Sequence, residues 1–373
     1  MALCGTLHEG MAIEPAAGRG GRRPARGNGV QMYDGGKVEV SEEALELHRR
    51  SLVVDLHTDS LTAARMLGRD LSRRHRPPAG LRPWMLHADV PRMKEASLDA
   101  VFFGIVTHPW PHKAYQRALR NLRYGKFVIR KNSSAMALAT SPDEIEAARA
   151  AGKIAVLFGL EGLHMLSGRL ERIEEFFELG VSYVTLAHFS SNRFAVSSAD
   201  KRRADVELGG RGAAAIELMN SLGMMIDLAH VHTNQIGEVC RMTTKPVIVS
   251  HGATQALRPT FRNLSDSDIS DVAATGGVIG LIYASEWLAK GPDVSIATVV
   301  DHADHIRQVA GVEHIALGSD FDGFIATPEG LRDVTDLPAL TQLFLERGYS
   351  HDEVAGILGG NLMRVFREAR SPA

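Results

Sequence analysis

Residues 224–251 read MMIDLAHVHTNQIGEVCRMTTKPVIVSH. A short apolar run, Met224 to Ala229, ends on His230, and a second, Pro246 to Ser250, ends on His251. The same form recurs along the chain. Leu52-Val53-Val54-Asp55-Leu56 runs into His57 and Asp59, Ile154 to Leu160 into Glu161, Val181 to Ala187 into His188, and His314 to Ser319 into Asp320. Leu98 to Thr107, ending at His108, is a weaker example. One such ending carries little weight. A series of them is what a barrel enzyme looks like in one dimension, because loops at the C-terminal ends of parallel strands share one face.

The segments between these runs have helical character. Ser141-Pro142-Asp143-Glu144 combines an N-cap, a proline at the first helical position and carboxylates in the first turn. Leu170 to Leu179 stops at Gly180, Gly212 to Leu222 stops at Gly223, Ser265 opens a helix reaching Thr275, and Ile296 to Val309 is closed by Gly311. Eight strand candidates result: 52–57, 98–107, 154–160, 181–187, 224–229, 246–250, 277–282 and 314–319. Strands alternating with helices argue for a parallel sheet, and eight of them suit a closed α/β (β/α)8 TIM barrel. No G-x-G-x-x-G follows the first strand and no Walker-type Gly-Lys-Ser/Thr is present, so nucleotide-binding folds lose their usual support. Arg65 to His87 is expected as a long loop over the mouth of the barrel, and 350–373 as a closing helix interrupted at Gly359-Gly360-Asn361.

Composition narrows the function class. The 373 residues are 45% hydrophobic and 23% charged, with a formal net charge of −2. Nucleic acid and anionic membrane are therefore not expected as partners. Two cysteines, Cys4 and Cys240, make no disulfide framework. With neither a signal-like N-terminus nor an apolar run of about 18 residues, a cytoplasmic location is expected. Residues 1–37 are rich in Gly, Arg, Pro and Ala and are expected as a disordered extension, with Met32 as a candidate start. Residues 38–373 then form one catalytic domain.

Each candidate site residue has a bland reading beside the chemical one. His57 and Asp59, as H-x-D at a strand end, point two ligands to one face, or else simply make a turn. Glu161, buried after an apolar run, needs either a metal or a basic partner. His230 and His251 end consecutive strands, where a lone histidine would more often be a packing residue; neutral imidazole is also a common zinc ligand. Asp320 is a ligand or a general acid/base. His188 is free to stabilise developing negative charge. Arg262 is placed to grip a substrate carboxylate, or is solvated. Asp322 is read as structural, His302 and His305 as solvated on an outer helix, and His87, His108, His112 and His164 as unassigned residues near the active face.

The order H-T-D at 57–59, G-L-E-G at 159–162, L-A-H at 186–188, D-L-A-H at 227–230, S-H at 250–251, R-N-L at 262–264 and G-S-D-F-D-G at 318–323 resembles the membrane (renal) dipeptidase family of zinc peptidases, over about residues 45–367. The resemblance implies an amidohydrolase-type barrel with two Zn²⁺ per chain. His57, Asp59 and Glu161 would hold one ion, and Glu161, His230 and His251 the other. His188 would sit by the oxyanion, Arg262 by the C-terminal carboxylate of a small dipeptide, and Asp320 would handle protons. A metal-bridging hydroxide would attack the peptide carbonyl, and a homodimer is compatible with the family. Ala187, Phe189, Ala229 and Gly252 depart from the pattern and bear on substrate preference; the tyrosine some relatives place on the carboxylate has no secure counterpart here, with Tyr283 and Trp287 as candidates. The competing readings are an amidohydrolase acting on an N-acyl amino acid, lactam or biosynthetic intermediate, and a barrel without turnover.

Overall fold

The run Leu52 to Leu56 forms a strand, and the ring closes on it. The computed structural model describes residues 38–76, 84–107, 113–203 and 205–371. The expected N-terminal extension (residues 1–37), His108 and His112 lie outside the described residues. Nine strands are present among them: β1 Val54–Thr58, β2 Ala100–Ile105, β3 Met136–Leu138, β4 Ile154–Glu161, β5 Val181–Thr185, β6 Met225–Asp227, β7 Ile248–Gly252, β8 Val278–Leu281 and β9 Ile315–Leu317. All pair in parallel. β1 joins β2 on one side and β9 on the other, and β2 skips β3 to pair with β4, so eight strands close a (β/α)8 barrel. The unforeseen β3 lies alongside only the first half of β4, at Ile154 to Val156, whose second half pairs with β5.

Helix signals match local chemistry. Ser141 accepts from the Glu144 amide at the start of Pro142–Ala150, and Ser265 forms a capping box with Asp268 before Asp266–Ala274. Gly223 ends Gly210–Leu222 at φ 68°. Of the expected loop Arg65 to His87, Arg65 and Met66 end the helix Ser60–Met66, and its other described residues form no helix or strand before Val90–Glu95. The Gly359-Gly360-Asn361 interruption is a π-helical turn, Gly356–Gly360, within a helical path from His351 to Arg370. A Cβ at Gly359 would lie 2.4 Å from the Leu52 carbonyl, so this glycine lets the closing helix approach the foot of β1.

Alternation along the strands sorts the core. Val54, Leu56, Phe102, Leu157 and Met225 fill the barrel interior together with Leu362 and Phe366 of the C-terminal helix, whereas Val101, Phe103, Val156 and Phe158 belong to the layer under the outer helices. Continuing inward positions are Gly104, Gly159, Tyr183, Thr185, Asp227 and Ser250. At this depth the interior turns polar. β1 and β7 each carry a register irregularity, between Asp55 and Thr58 and between Val249 and Gly252. These irregularities re-aim His57 and His251, each next in sequence to an inward residue, at the same centre.

Candidate metal centre

Every ligand candidate lies at the C-terminal end of a strand. His57 is within β1, Glu161 is the last residue of β4 and His251 lies inside β7. His230 follows β6 at φ 62° and Asp320 follows β9 at φ 58°. Non-glycine residues rarely occupy this region, and such strain concentrates at functional sites. Asp59 converges on His57 as expected, but for a different reason. It is the N-cap residue of Ser60–Met66, at φ −93° and ψ 13°, and is not part of the extended strand.

Glu161 is the hub. Its Oε1 lies 3.0 Å from His230 Nε2, 3.7 Å from His251 Nε2 and 3.9 Å from His57 Nε2, and its Oε2 lies 3.5 Å from His188 Nε2. His57 Nε2 is 3.8 Å from both Asp59 Oδ1 and Asp320 Oδ1. His230 Nε2 and His251 Nε2 face each other at 2.9 Å. Two ligands of one tetrahedral Zn²⁺, each about 2.1 Å from it, stand about 3.4 Å apart, so these spacings match a ligand shell. Three groupings satisfy that geometry: His57 with Glu161 and His251, Glu161 with His188 and His230, and His57 with Asp59 and Asp320. Gly104 makes room for the first pair, because a Cβ there would lie 2.5 Å from Asp59 Oδ1.

Below these residues is a closed hydrogen-bond system. Asp227 accepts from the Ser250 and Ala229 amides at 2.8 and 3.0 Å, and from the Thr185 and Ser250 hydroxyls. Ser250 Oγ lies 2.9 Å from His251 Nδ1. Tyr183 Oη is 2.6 Å from His57 Nδ1, in space that exists because residue 159 is glycine. A histidine that offers Nε2 to a metal carries its proton on Nδ1 and donates from there. As ligands through Nε2, His251 would donate from Nδ1 to Ser250, which donates to Asp227, and His57 would donate from Nδ1 to Tyr183. Asp55 plays the matching part at the seam of the barrel, accepting from the Ser319 and His57 amides.

The electrostatics fit a cation. Burial, and then neighbouring carboxylates, push Asp59, Glu161 and Asp320 well above the usual carboxylate range. Burial likewise lowers His57 and His188 to about 3, and His230 and His251 well below their ordinary value, leaving neutral imidazoles. His57 Nε2 and Asp59 Oδ1 are buried without a hydrogen-bond partner. Unpaired carboxylates and bare imidazole nitrogens in one dry cluster are costly unless a metal ion takes them up. The residues present fit a metal with nitrogen and oxygen ligands.

The remaining candidates sort clearly. His188, Arg262 and Asp320 line a cavity of about 200 Å³ with Asp59, Glu161, His230, Phe189, Glu286, Trp287 and Phe324. Arg262 is buried rather than solvated, and donates to the His251 carbonyl at 2.8 Å. Trp287 lines the cavity and meets Phe261 edge to face, whereas Tyr283 is fully buried against Phe321. Asp322 is structural as read: it accepts from the His87 amide, whose ring in turn accepts from the Asp322 amide. His164 pairs with Thr107 at 2.9 Å. His302 corrects the expectation of a solvated residue. It is fully buried, with Nδ1 accepting from the Thr254 amide and Nε2 on the Leu288 carbonyl. Its inward helix face, missed in sequence, explains the difference; His305 on the same helix pairs with Asp266.

Sequence reasoning missed Asp227, Asp55, Tyr183 and Glu286. The two aspartates did leave a signal: V-V-D-L-H and M-I-D-L-A-H each place a carboxylate inside an apolar strand just before a candidate ligand.

Comparison with known proteins agrees with this geometry. Residues 41–373 match the family model for membrane dipeptidase, peptidase family M19. The dipeptidase tcpJ of Claviceps purpurea is 32% identical over 306 residues, covering 82% of this chain and 70% of that protein. An uncharacterized dipeptidase of Schizosaccharomyces pombe is 36% identical over 300 residues, covering 76% and 72%. The crystal structure of the probable dipeptidase PvdM from Pseudomonas aeruginosa shares the fold at a TM-score of 0.81, with 20% identity and coverage of 88% and 98%. The chain belongs to the membrane dipeptidase family, and is thus a peptide-bond hydrolase with a metal cofactor. Among the described residues, no helix is long and apolar enough to cross a membrane.

Proposed function

We propose that this member of the membrane dipeptidase family is a zinc enzyme that hydrolyses dipeptides with a free C-terminal carboxylate, residues 38–373 forming its catalytic domain. His57, Asp59 and Glu161 hold one ion; Glu161, His230 and His251 hold the second. The observation that carries this reading is Glu161, whose two oxygens stand 3.0 to 3.9 Å from four histidine Nε2 atoms and which belongs to two of the three ligand groupings. A carboxylate so placed is suited to bridge two ions. The donor set of imidazole and carboxylate, without thiolate, suits zinc. Two such ions would acidify a water from about 15.7 toward about 7 and polarise the scissile carbonyl.

The chain's own groups complete the chemistry. Arg262 receives the substrate's carboxylate through the N–H groups not committed to the His251 carbonyl, which fixes the dipeptide's length and direction. His188, held beside Glu161, donates to the oxyanion as the carbonyl becomes tetrahedral. Asp320 is outside the proposed ligand set but 3.8 Å from His57 Nε2. Its carboxylate collects the proton of the attacking water and passes it to the leaving amine.

Metal analysis combined with a panel of L,L and L,D dipeptides and N-acyl amino acids tests this. The expected result is two zinc ions per chain and cleavage of dipeptides in preference to acylated amino acids. Preferential cleavage of the acylated compounds, or zinc-replete protein inert on every dipeptide, contradicts it.

A further inference from the structure

One carboxylate in the cavity has no task in that scheme. Asp59 and Glu161 are assigned to metal and Asp320 to proton transfer, and Glu286 remains. It belongs to the short helix Ser285–Leu288 after β8 and forms no ion pair among the described residues. Its position is fixed rather than loose. The Ser285 amide donates to the Ala326 carbonyl at 2.8 Å, Arg258 Nε donates to the Glu286 carbonyl at 3.2 Å, and Asn263 donates to the Trp287 carbonyl at 2.7 Å. The Glu286 side chain is exposed and lines the cavity from this pinned backbone.

Its place within the cavity is also defined. The bonds from Arg258 and Asn263 tie the Glu286 helix to the loop that carries Arg262, the residue assigned to the substrate's C-terminal carboxylate. Glu286 therefore lines the cavity beside the Arg262 loop, where the departing C-terminal residue of the substrate would lie. A fixed carboxylate facing a cavity selects positive charge and rejects negative charge.

Resting on the dipeptidase reading, we infer that Glu286 forms a subsite for a cationic group of the substrate, best placed for a basic side chain on the C-terminal residue. The free α-ammonium is the other source of the same charge. Phe189 and Phe324, 51% and 55% exposed at the cavity edge, offer apolar surface along which the aliphatic stem of a lysine can lie.

The test compares wild type with Glu286→Gln on Ala-Lys, Ala-norleucine and N-acetyl-Ala-norleucine, using metal-loaded full-length protein. Calorimetric binding of the products lysine and norleucine supplies a readout independent of turnover. The expected result is a wild-type preference for Ala-Lys over Ala-norleucine of about tenfold in kcat/KM, carried mainly by KM, which Glu286→Gln erases. Lysine should likewise bind more tightly than norleucine only in wild type. A loss in Glu286→Gln confined to the contrast between free and acetylated Ala-norleucine supports the subsite with the α-ammonium as its occupant. Equal behaviour of the two proteins on all three substrates and both products overturns the subsite. Should no dipeptide be cleaved, the dipeptidase reading fails while the product-binding arm still decides the subsite.

Discussion

Two polar layers lie one above the other at the top of this barrel, and they differ in a single respect. In the lower one Asp227, Thr185 and Ser250 close their hydrogen bonds among themselves and with the strand amides, and the Tyr183 hydroxyl meets His57 Nδ1. In the upper one His57 Nε2 and Asp59 Oδ1 are buried with no partner, and His188, His230 and His251 crowd around one carboxylate. The lower layer is fully buried and the upper one mostly so, and burial alone does not distinguish scaffold from site. Satisfaction does: a buried polar group left open is expensive, and a cluster of them persists when something else fills the valence.

The sharpest way to break this contrast is Glu161→Gln, which removes the carboxylate common to two ligand groupings. Losing metal-derived stabilisation of several kcal/mol should lower kcat/KM by at least about 10³-fold, with zinc content falling below two per chain by elemental analysis. Asp320→Asn should separate chemistry from metal binding. An expected loss of about 10²- to 10⁴-fold in kcat comes with wild-type zinc content, and near-normal turnover would remove Asp320 from its assigned role.

Asp227→Asn probes the lower layer. Asp227 accepts from Ser250, the partner of His251 Nδ1, so zinc affinity should weaken about 10- to 100-fold in chelator competition. Unchanged affinity would reduce this layer to packing.

The smallest effect concerns His48, a buried histidine away from the site that behaves like the lower layer. Its ring nitrogens contact Thr341 Oγ1 at 2.8 Å and the Ala96 carbonyl at 3.0 Å, and burial lowers its pKa to about 4. The unfolded chain, with His48 near 6.5, binds this proton more readily than the folded one. The stability His48 confers is thus complete above pH 6.5 and is lost as pH falls toward 4. His48→Gln should flatten that part of the Tm-versus-pH profile, and an unchanged slope would refute the assignment.

Much of the upper layer was legible in sequence because the candidate residues end apolar runs, and strand ends are what a parallel barrel gathers on one face. His57, Glu161, His230 and His251 needed only that rule. The lower layer was obscured by the same pattern. Asp55 and Asp227 sit within the runs, where they read as exceptions, and Tyr183 reads as an ordinary apolar strand residue. The convergence of His57 with Asp59 depends on a strand irregularity and an N-cap, neither of which alternation predicts. His302 was misplaced because a helix next to a barrel buries one face, and histidine type alone does not tell which face it occupies. Glu286 lies on a four-residue helix that carries no motif.

The central claim is that the open valences of the upper layer belong to two metal ions sharing Glu161. Anomalous X-ray diffraction at the zinc edge, on crystals of zinc-loaded protein, tests it most directly. The account predicts two peaks about 3.5–4 Å apart, one beside His57 and Asp59, the other beside His230 and His251, both within bonding distance of Glu161. A single peak away from Glu161, or no peak in this layer, would contradict it.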